Sequence, residues 1–129
     1  MPTLSKFRRR SGSTVVAVQL NLDTEGFTYR KWGGRQTCKP GDWLVDNGGD
    51  IYSVDRGTFE KTYERISPGV YRKSSAVWAR VAEEAGSIRT KEGETHYARG
   101  DYLVFNEAQG GDGYAIGPEK FRELYEPDG

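Results

Sequence analysis

Apolar and polar residues alternate over short stretches of this chain, and nearly every stretch is closed by glycine, proline or asparagine. That rhythm is the period-2 signature of half-buried strands separated by tight turns. Residues 14–22 predict a strand carrying Val16, Val18 and Leu20 on one face, and 27–32 predict another, turning at Gly33 and Gly34 into 35–38. Lys39-Pro40-Gly41-Asp42 reads as a type II turn, with the proline ring fixing one negative φ and glycine supplying the positive one. It leads into 43–46, a glycine-rich turn at 47–50 and a strand at 51–54. The period then changes to 3.6: Asp55 can cap a helix that puts Phe59 and Tyr63, at i and i+4, on one face. Ser67, Pro68 and Gly69 close this block, and 71–75 link it to the next.

The same order of elements then recurs. At one constant offset, Gly41, Asp42, Leu44, Val45 and Asn47 pair with Gly100, Asp101, Leu103, Val104 and Asn106. Beyond a three-residue insertion at Glu107 the pairing resumes, matching Gly48, Gly49, Asp50, Tyr52, Phe59, Tyr63 and Glu64 with Gly110, Gly111, Asp112, Tyr114, Phe121, Tyr125 and Glu126. Twelve of 24 positions are identical, where unrelated stretches would agree at roughly one or two given ordinary residue usage. Arg30 with Arg89 and Gly34 with Gly93 carry the likeness back into the hairpins. The second helix opens on Gly117 and Pro118 and carries Phe121, Leu124 and Tyr125; residues after Glu126 are expected to fray. The pattern predicts an α+β, mainly β protein. It consists of two tandem antiparallel β-meander modules, 14–73 and 74–129, each ending in a short helix and packed with pseudo-two-fold symmetry. Either half alone, at about 60 residues, would be marginal.

Formal charge is zero over 129 residues but is spread unevenly: +4 in 1–13, +1 in 14–73 and −5 in 74–129. The opening Lys6, Arg8, Arg9 and Arg10 among serines and glycine predict a flexible basic arm over 1–13. Its alternatives are a phosphate-contacting arm and an ordinary solvated terminus. No apolar run approaches the 18 or so residues of a membrane helix, and no apolar segment follows the basic start as in a secretory signal, so a cytoplasmic protein is expected. One cysteine, Cys38, and one histidine, His96, leave no intrachain disulfide and no cysteine-based zinc site. No metal or cofactor is expected.

Pro40-Gly41-Asp42-Trp43-Leu44, with Gly49-Asp50-Ile51-Tyr52 and the Phe59, Tyr63, Glu64 helix, resembles the PGDYG protein family of small bacterial and phage-associated proteins, here duplicated. Trp43 and Leu44 depart from the Tyr and Gly of the motif. The resemblance implies a bacterial or phage origin, hence a host-cytoplasmic setting if phage-encoded, and supplies no activity.

Chemistry is sparse. Cys38 beside Lys39 could carry a lowered thiol pKa, but its one candidate base is His96. Asp42 and Asp101 could form a carboxylate pair, or each could simply hold its turn through backbone N–H bonds. No catalytic residue is assigned and a non-enzymatic role is expected. The informative excess is aromatic: 16 of 129 residues, more than a small core needs. Tyr29, Trp32, Trp43, Tyr52, Tyr102 and Tyr114, with Arg30, Arg35 and Arg89, are the candidate binding set. Such residues suit a protein interface, where Trp, Tyr and Arg concentrate. They suit equally a stacking and phosphate-binding surface for a nucleotide or single strand. The leading expectation is a binding module for a protein partner, the second a small nucleotide or single-stranded nucleic-acid binder.

Overall fold

A computed structural model describes residues 3–129, and its architecture is mainly β with two short helices. In chain order the elements are β1 (Ser5–Arg9), β2 (Val15–Gln19), β3 (Phe27–Lys31), β4 (Gly34–Cys38), β5 (Trp43–Asn47), β6 (Asp50–Val54), α1 (Arg56–Thr62), β7 (Tyr63–Ser67) and β8 (Val70–Lys73). They continue as β9 (Val77–Val81), β10 (Gly86–Arg89), β11 (Glu94–Tyr97), β12 (Tyr102–Phe105), β13 (Gly113–Ile116), α2 (Pro118–Leu124) and β14 (Tyr125–Pro127). Neither helix is long and apolar enough to cross a membrane.

Two five-stranded antiparallel sheets dominate. One has the order β6-β5-β2-β8-β7, the other β13-β12-β9-β1-β14, and two-stranded hairpins β3-β4 and β10-β11 accompany them. Each sheet buries an aromatic stack against a helix. In the first, Trp43 lies parallel over Phe59 at 4.2 Å, Phe59 over Tyr63 at 4.5 Å, and Tyr71 meets Phe59 edge-on at 5.1 Å. In the second, Tyr102 lies over Phe121 at 3.9 Å and Phe7 meets it edge-on at 4.8 Å. A fully buried Phe contributes about 2–3 kcal/mol by transfer, and each ring pair roughly 0.5–1.5 more.

The helix starts follow their local sequence. Asp55 accepts a bond from Thr58 N at α1, while Gly117 and Pro118 open α2 without a side-chain cap. Asp42, almost fully buried, accepts bonds from Lys39 N at 2.9 Å and Arg56 N at 3.0 Å, tying its turn to α1. Asp101 accepts from Ala98 N at 2.9 Å. Both carboxylates therefore hold turns.

Several expectations are corrected. Ser5–Arg9 is no flexible arm: β1 is inserted between β9 and β14, with Phe7 opposite both Val77 and Pro127, and Arg9 buried. Met1 and Pro2 lie outside the described residues. The expected linker at 71–75 is mostly β8, paired to β2 and β7. The chain beyond Glu126 is held in β14, with Asp128 N bonding Lys6 O at 3.1 Å. On β2 it is Val15 and Ala17 that face the core, whereas Val16 and Val18 stand on the solvent side. The first hairpin turns at Trp32-Gly33, not Gly33-Gly34: the two have φ of 57° and 77°, the paired positive values of a type I′ turn.

Gly34 serves the crossing of the two hairpins instead. A Cβ there would collide with the carbonyl of Glu94, and one at Gly93 with the carbonyl of Arg35. The strands touch backbone to backbone, with Gln36 bridged to Gly93, His96 N bonding Trp32 O at 2.9 Å and Thr37 N bonding Glu92 O.

Candidate functional site

Residues from both five-stranded sheets and both hairpins enclose a cavity of about 330 Å³. Its walls hold an unusual pair: Arg9 from the end of β1 and Lys73 from the end of β8, 8% and 6% exposed. Strand alternation sends them inward. Phe7 and Arg9 share one face of β1, as Tyr71 and Lys73 share one face of β8, while Arg8 and Arg72 point out to Glu126 and Glu64.

Tyrosines surround the two cations. Arg9 lies 5.3 Å over the Tyr125 ring; Lys73 lies 5.8 Å from the Tyr63 centroid and 5.3 Å from that of Tyr114. The Lys73 Nζ is 3.5 Å from the Tyr114 hydroxyl, which shares a 2.6 Å hydrogen bond with the Tyr125 hydroxyl. Tyr52 completes the set. Tyr63 and Tyr125 are the C-cap residues of α1 and α2, so each helix delivers its tyrosine as it ends.

The charge is poorly matched. Buried Nε and Nη1 of Arg9 have no hydrogen-bond partner, and neither Arg9 nor Lys73 is ion-paired among the described residues. The cavity's carboxylates bond other groups first, Asp101 its own turn through Ala98 N. Asp50 meets Lys31 at 2.8 Å and Lys120 at 4.0 Å; Asp112 accepts from Thr58 Oγ1 at 2.7 Å and lies 3.6 Å from Lys91. Glu92 accepts from Asp55 N at 2.7 Å, and burial pushes its carboxyl above the usual range. Two buried cations thus share one cavity, where such charges are expensive without partners.

Titration follows from that crowding. Burial lowers the Lys73 ammonium and repulsion from Arg9 acts the same way, against opposition from Tyr125 and Asp112. Burial also opposes the Arg9 charge, and the tyrosines outweigh it only where their phenols ionise, above neutral pH, so at pH 7 the desolvation cost stands. Burial drives Tyr52, Tyr63 and Tyr114 upward. In Tyr125 burial acts in that direction too, yet Lys73, Arg9 and the Tyr114 bond bring its phenol below the ordinary value.

Trp32 forms part of the wall, 5.8 Å from the Tyr52 ring, with Lys31 Nζ 5.4 Å from its own. It occupies a left-handed turn position that Asn, Asp and Gly normally fill, and a bulky residue there is strained. Asp112, the other described non-glycine residue at positive φ, also borders the cavity.

Of the sequence-derived set, Trp32, Tyr52 and Tyr114 come together at this cavity. Trp43 and Tyr102 are spent in the core stacks. Tyr29 pins the first hairpin to β6, its hydroxyl 2.6 Å from Ser53 Oγ and accepting from Ser53 N at 2.9 Å. Arg30 and Arg35 border a shallow surface depression with Gly33 and Gly34, and Arg89 is exposed on β10. Cys38 is fully buried, its thiol pushed up by burial and by Asp42 more than Lys39 lowers it; His96 is exposed and 3.2 Å from Glu94.

Sequence reasoning missed Arg9, Lys73, Tyr63 and Tyr125 as wall residues. A signal existed: Phe7-Arg8-Arg9 and Tyr71-Arg72-Lys73 are the same aromatic-basic-basic triplet, each closing the strand that carries it. No family model, curated protein or solved structure matches the chain.

Proposed function

We propose that this protein is a non-enzymatic binding module whose interior cavity captures a small anionic ligand. The observation that carries the reading is the Arg9 guanidinium, buried near Lys73 with two N–H groups unbonded, in a cavity whose carboxylates form a salt bridge with neither cation. A buried donor left without an acceptor costs about 1–3 kcal/mol. That cost is recovered when an anion enters and takes several charge-assisted bonds at once.

The duplication belongs to the same proposal. Two copies of one unit, related by an approximate two-fold axis, would explain why Arg9 answers Lys73, Tyr52 answers Tyr114, and Tyr63 answers Tyr125. They would explain as well the reciprocal collisions at Gly34 and Gly93. On this reading the unit runs from β1 to β7 and again from β8 to β14, and each copy lends its first strand to the other's sheet. The ligand site then lies between the copies. A protein partner is the weaker reading, because Trp43 and Tyr102 are occupied in the core and the arginines of the set, Arg30, Arg35 and Arg89, are what it leaves exposed apart from Trp32.

Thermal melting in inorganic phosphate, sulfate and chloride at matched ionic strength tests the proposal. Phosphate or sulfate is expected to raise Tm saturably, by the linkage that gives about 2.7 kcal/mol at a hundredfold excess over Kd. Arg9→Met and Lys73→Met should each erase the increment while remaining folded. Equal melting in all three salts would overturn it.

A further inference from the structure

We infer that the ligand is a free mononucleotide, with its dianionic phosphate between Arg9 and Lys73 and its flat ring against Trp32. The inference rests on the anion-binding reading and names the ligand of the same site. Three observations carry it.

Charge comes first. Two buried cations without a carboxylate partner match a group bearing close to two negative charges, as a phosphomonoester does at neutral pH. A monoanion would leave one cation without a direct anionic partner.

An orphan of opposite polarity sits in the same cavity. Asn106 Oδ1 is buried without a donor, its Nδ2 being held by the carbonyl and carboxylate of Asp112 at 3.3 and 3.2 Å. A dianionic phosphoryl group supplies acceptors only and satisfies Arg9. It leaves Asn106 unmet, whereas a ribose hydroxyl or a ring N–H would satisfy it.

Trp32 is the third. Its turn is geometrically easier with glycine or asparagine, so the fold alone does not call for an indole at φ 57°. Strain held at a cavity wall points to use, and an indole lining the cavity is a sequence-tolerant platform for a heterocycle. The volume sets the limit: about 330 Å³ is at the small end of ligand pockets, room for one ring, one sugar and one phosphate. A strand of nucleic acid would not be enclosed.

Isothermal calorimetry on the intact protein decides the matter, with inorganic phosphate, ribose 5-phosphate, AMP, UMP, adenosine and a 5′-phosphorylated oligothymidine as separate titrants. AMP or UMP is expected to bind at least tenfold more tightly than inorganic phosphate, with adenosine weaker than either nucleotide. Trp32→Asn, which suits the turn, should lower mononucleotide affinity about tenfold and leave phosphate affinity unchanged. Asn106→Leu should reduce affinity for ribose 5-phosphate and the nucleotides but not for phosphate. Should phosphate equal the nucleotides, or Trp32→Asn change nothing while Arg9-dependent phosphate binding persists, the mononucleotide assignment falls and anion binding stands. Oligothymidine binding as tightly as UMP would also overturn it in favour of a strand. No heat with any anion would remove both readings.

Discussion

Arg9 and Trp32 are residues that a sequence optimised for stability alone would not contain. Replacing a buried charge that lacks partners with an apolar side chain of similar length is often stabilising. Arg9→Met is therefore expected to raise the unfolding free energy of the unliganded protein by about 1–3 kcal/mol in chemical denaturation. Trp32→Asn should likewise add about 1 kcal/mol by relieving a left-handed conformation that asparagine tolerates. Gains in stability with losses in binding would mark both as residues kept for a ligand; losses in both would mark them as structural. Glu92 offers a check through pH. Burial raises its carboxyl pKa above the usual 4.5, so the folded chain holds this proton to a higher pH than the unfolded chain does. Stability then falls as pH rises from about 4.5 through the folded value, and the cost is fully present above it. Glu92→Gln keeps an acceptor for Asp55 N and removes the titration. Its Tm should match the parent's near pH 4 and exceed it at pH 7. Neighbouring Asp55 acts oppositely: burial alone would raise it, but the Thr58 bond, Lys91 and Lys39 lower it, so its contribution is present above pH 3.8 and lost as pH falls through the folded value.

At the scale of elements, the crossing of β4 and β11 is the least tolerant point. Gly34→Ala or Gly93→Ala puts a methyl group into a facing carbonyl, with no flexible side chain to yield, and each should cost about 3 kcal/mol or more in denaturant melts. Gly48→Ala, where nothing lies within 4 Å, should cost only the roughly 1–2 kcal/mol of its positive φ. The contrast shows what sequence can carry. Asp55, Pro118 and Gly41 act on residues three or four places away, so the helices and the turn are legible. The inward face of β2 is not, because alternation in Val15-Val16-Ala17-Val18 reads the same from either side and only the packed sheet decides. Gly34 passes for a turn glycine for a similar reason: the carbonyl it must clear belongs to Glu94, in the other half of the chain. The aromatic excess points to Trp32, Tyr52 and Tyr114 because the stacks on the two helices leave these rings over, although Tyr52 and Tyr114 also pack against the core clusters. Lys73 is harder to read: its immediate neighbours do not distinguish a buried lysine from a solvated one, and only the recurrence of the triplet at Phe7-Arg8-Arg9 marks it.

For the whole molecule, the decisive contact is the one that joins its two ends. β1 pairs with β9 and β14 and with nothing nearby in sequence, and Arg9 lies opposite Tyr125. Its basic composition, Lys6, Arg8, Arg9 and Arg10, imitates a solvated tail because three of the four do face outward. Lys6 and Arg8 lie 3.7 and 3.8 Å from Asp128, while Arg10 meets Glu126 at 3.3 Å. Exposed pairs of this kind contribute at most about 1 kcal/mol each. Phe7 and the ladder matter more. Burying most of a phenylalanine contributes about 2 kcal/mol and each net ladder bond about 1. Losing both ladders and Phe7 therefore removes at least about 5 kcal/mol, comparable to the entire stability of a small domain. Deleting residues 1–10 should then abolish a cooperative melt, or yield a species that self-associates through the freed edges of β9 and β14 in size-exclusion chromatography. A peptide of residues 3–10 added in trans should restore the monomeric melt, and phosphate-dependent stabilisation should return with it, because the same strand carries Arg9. A detached arm predicts the opposite, a deletion within about 0.5 kcal/mol of the intact chain. Restoration of the melt by an Arg9→Met peptide without restoration of the phosphate response would separate the strand's two duties, closing the second sheet and charging the cavity.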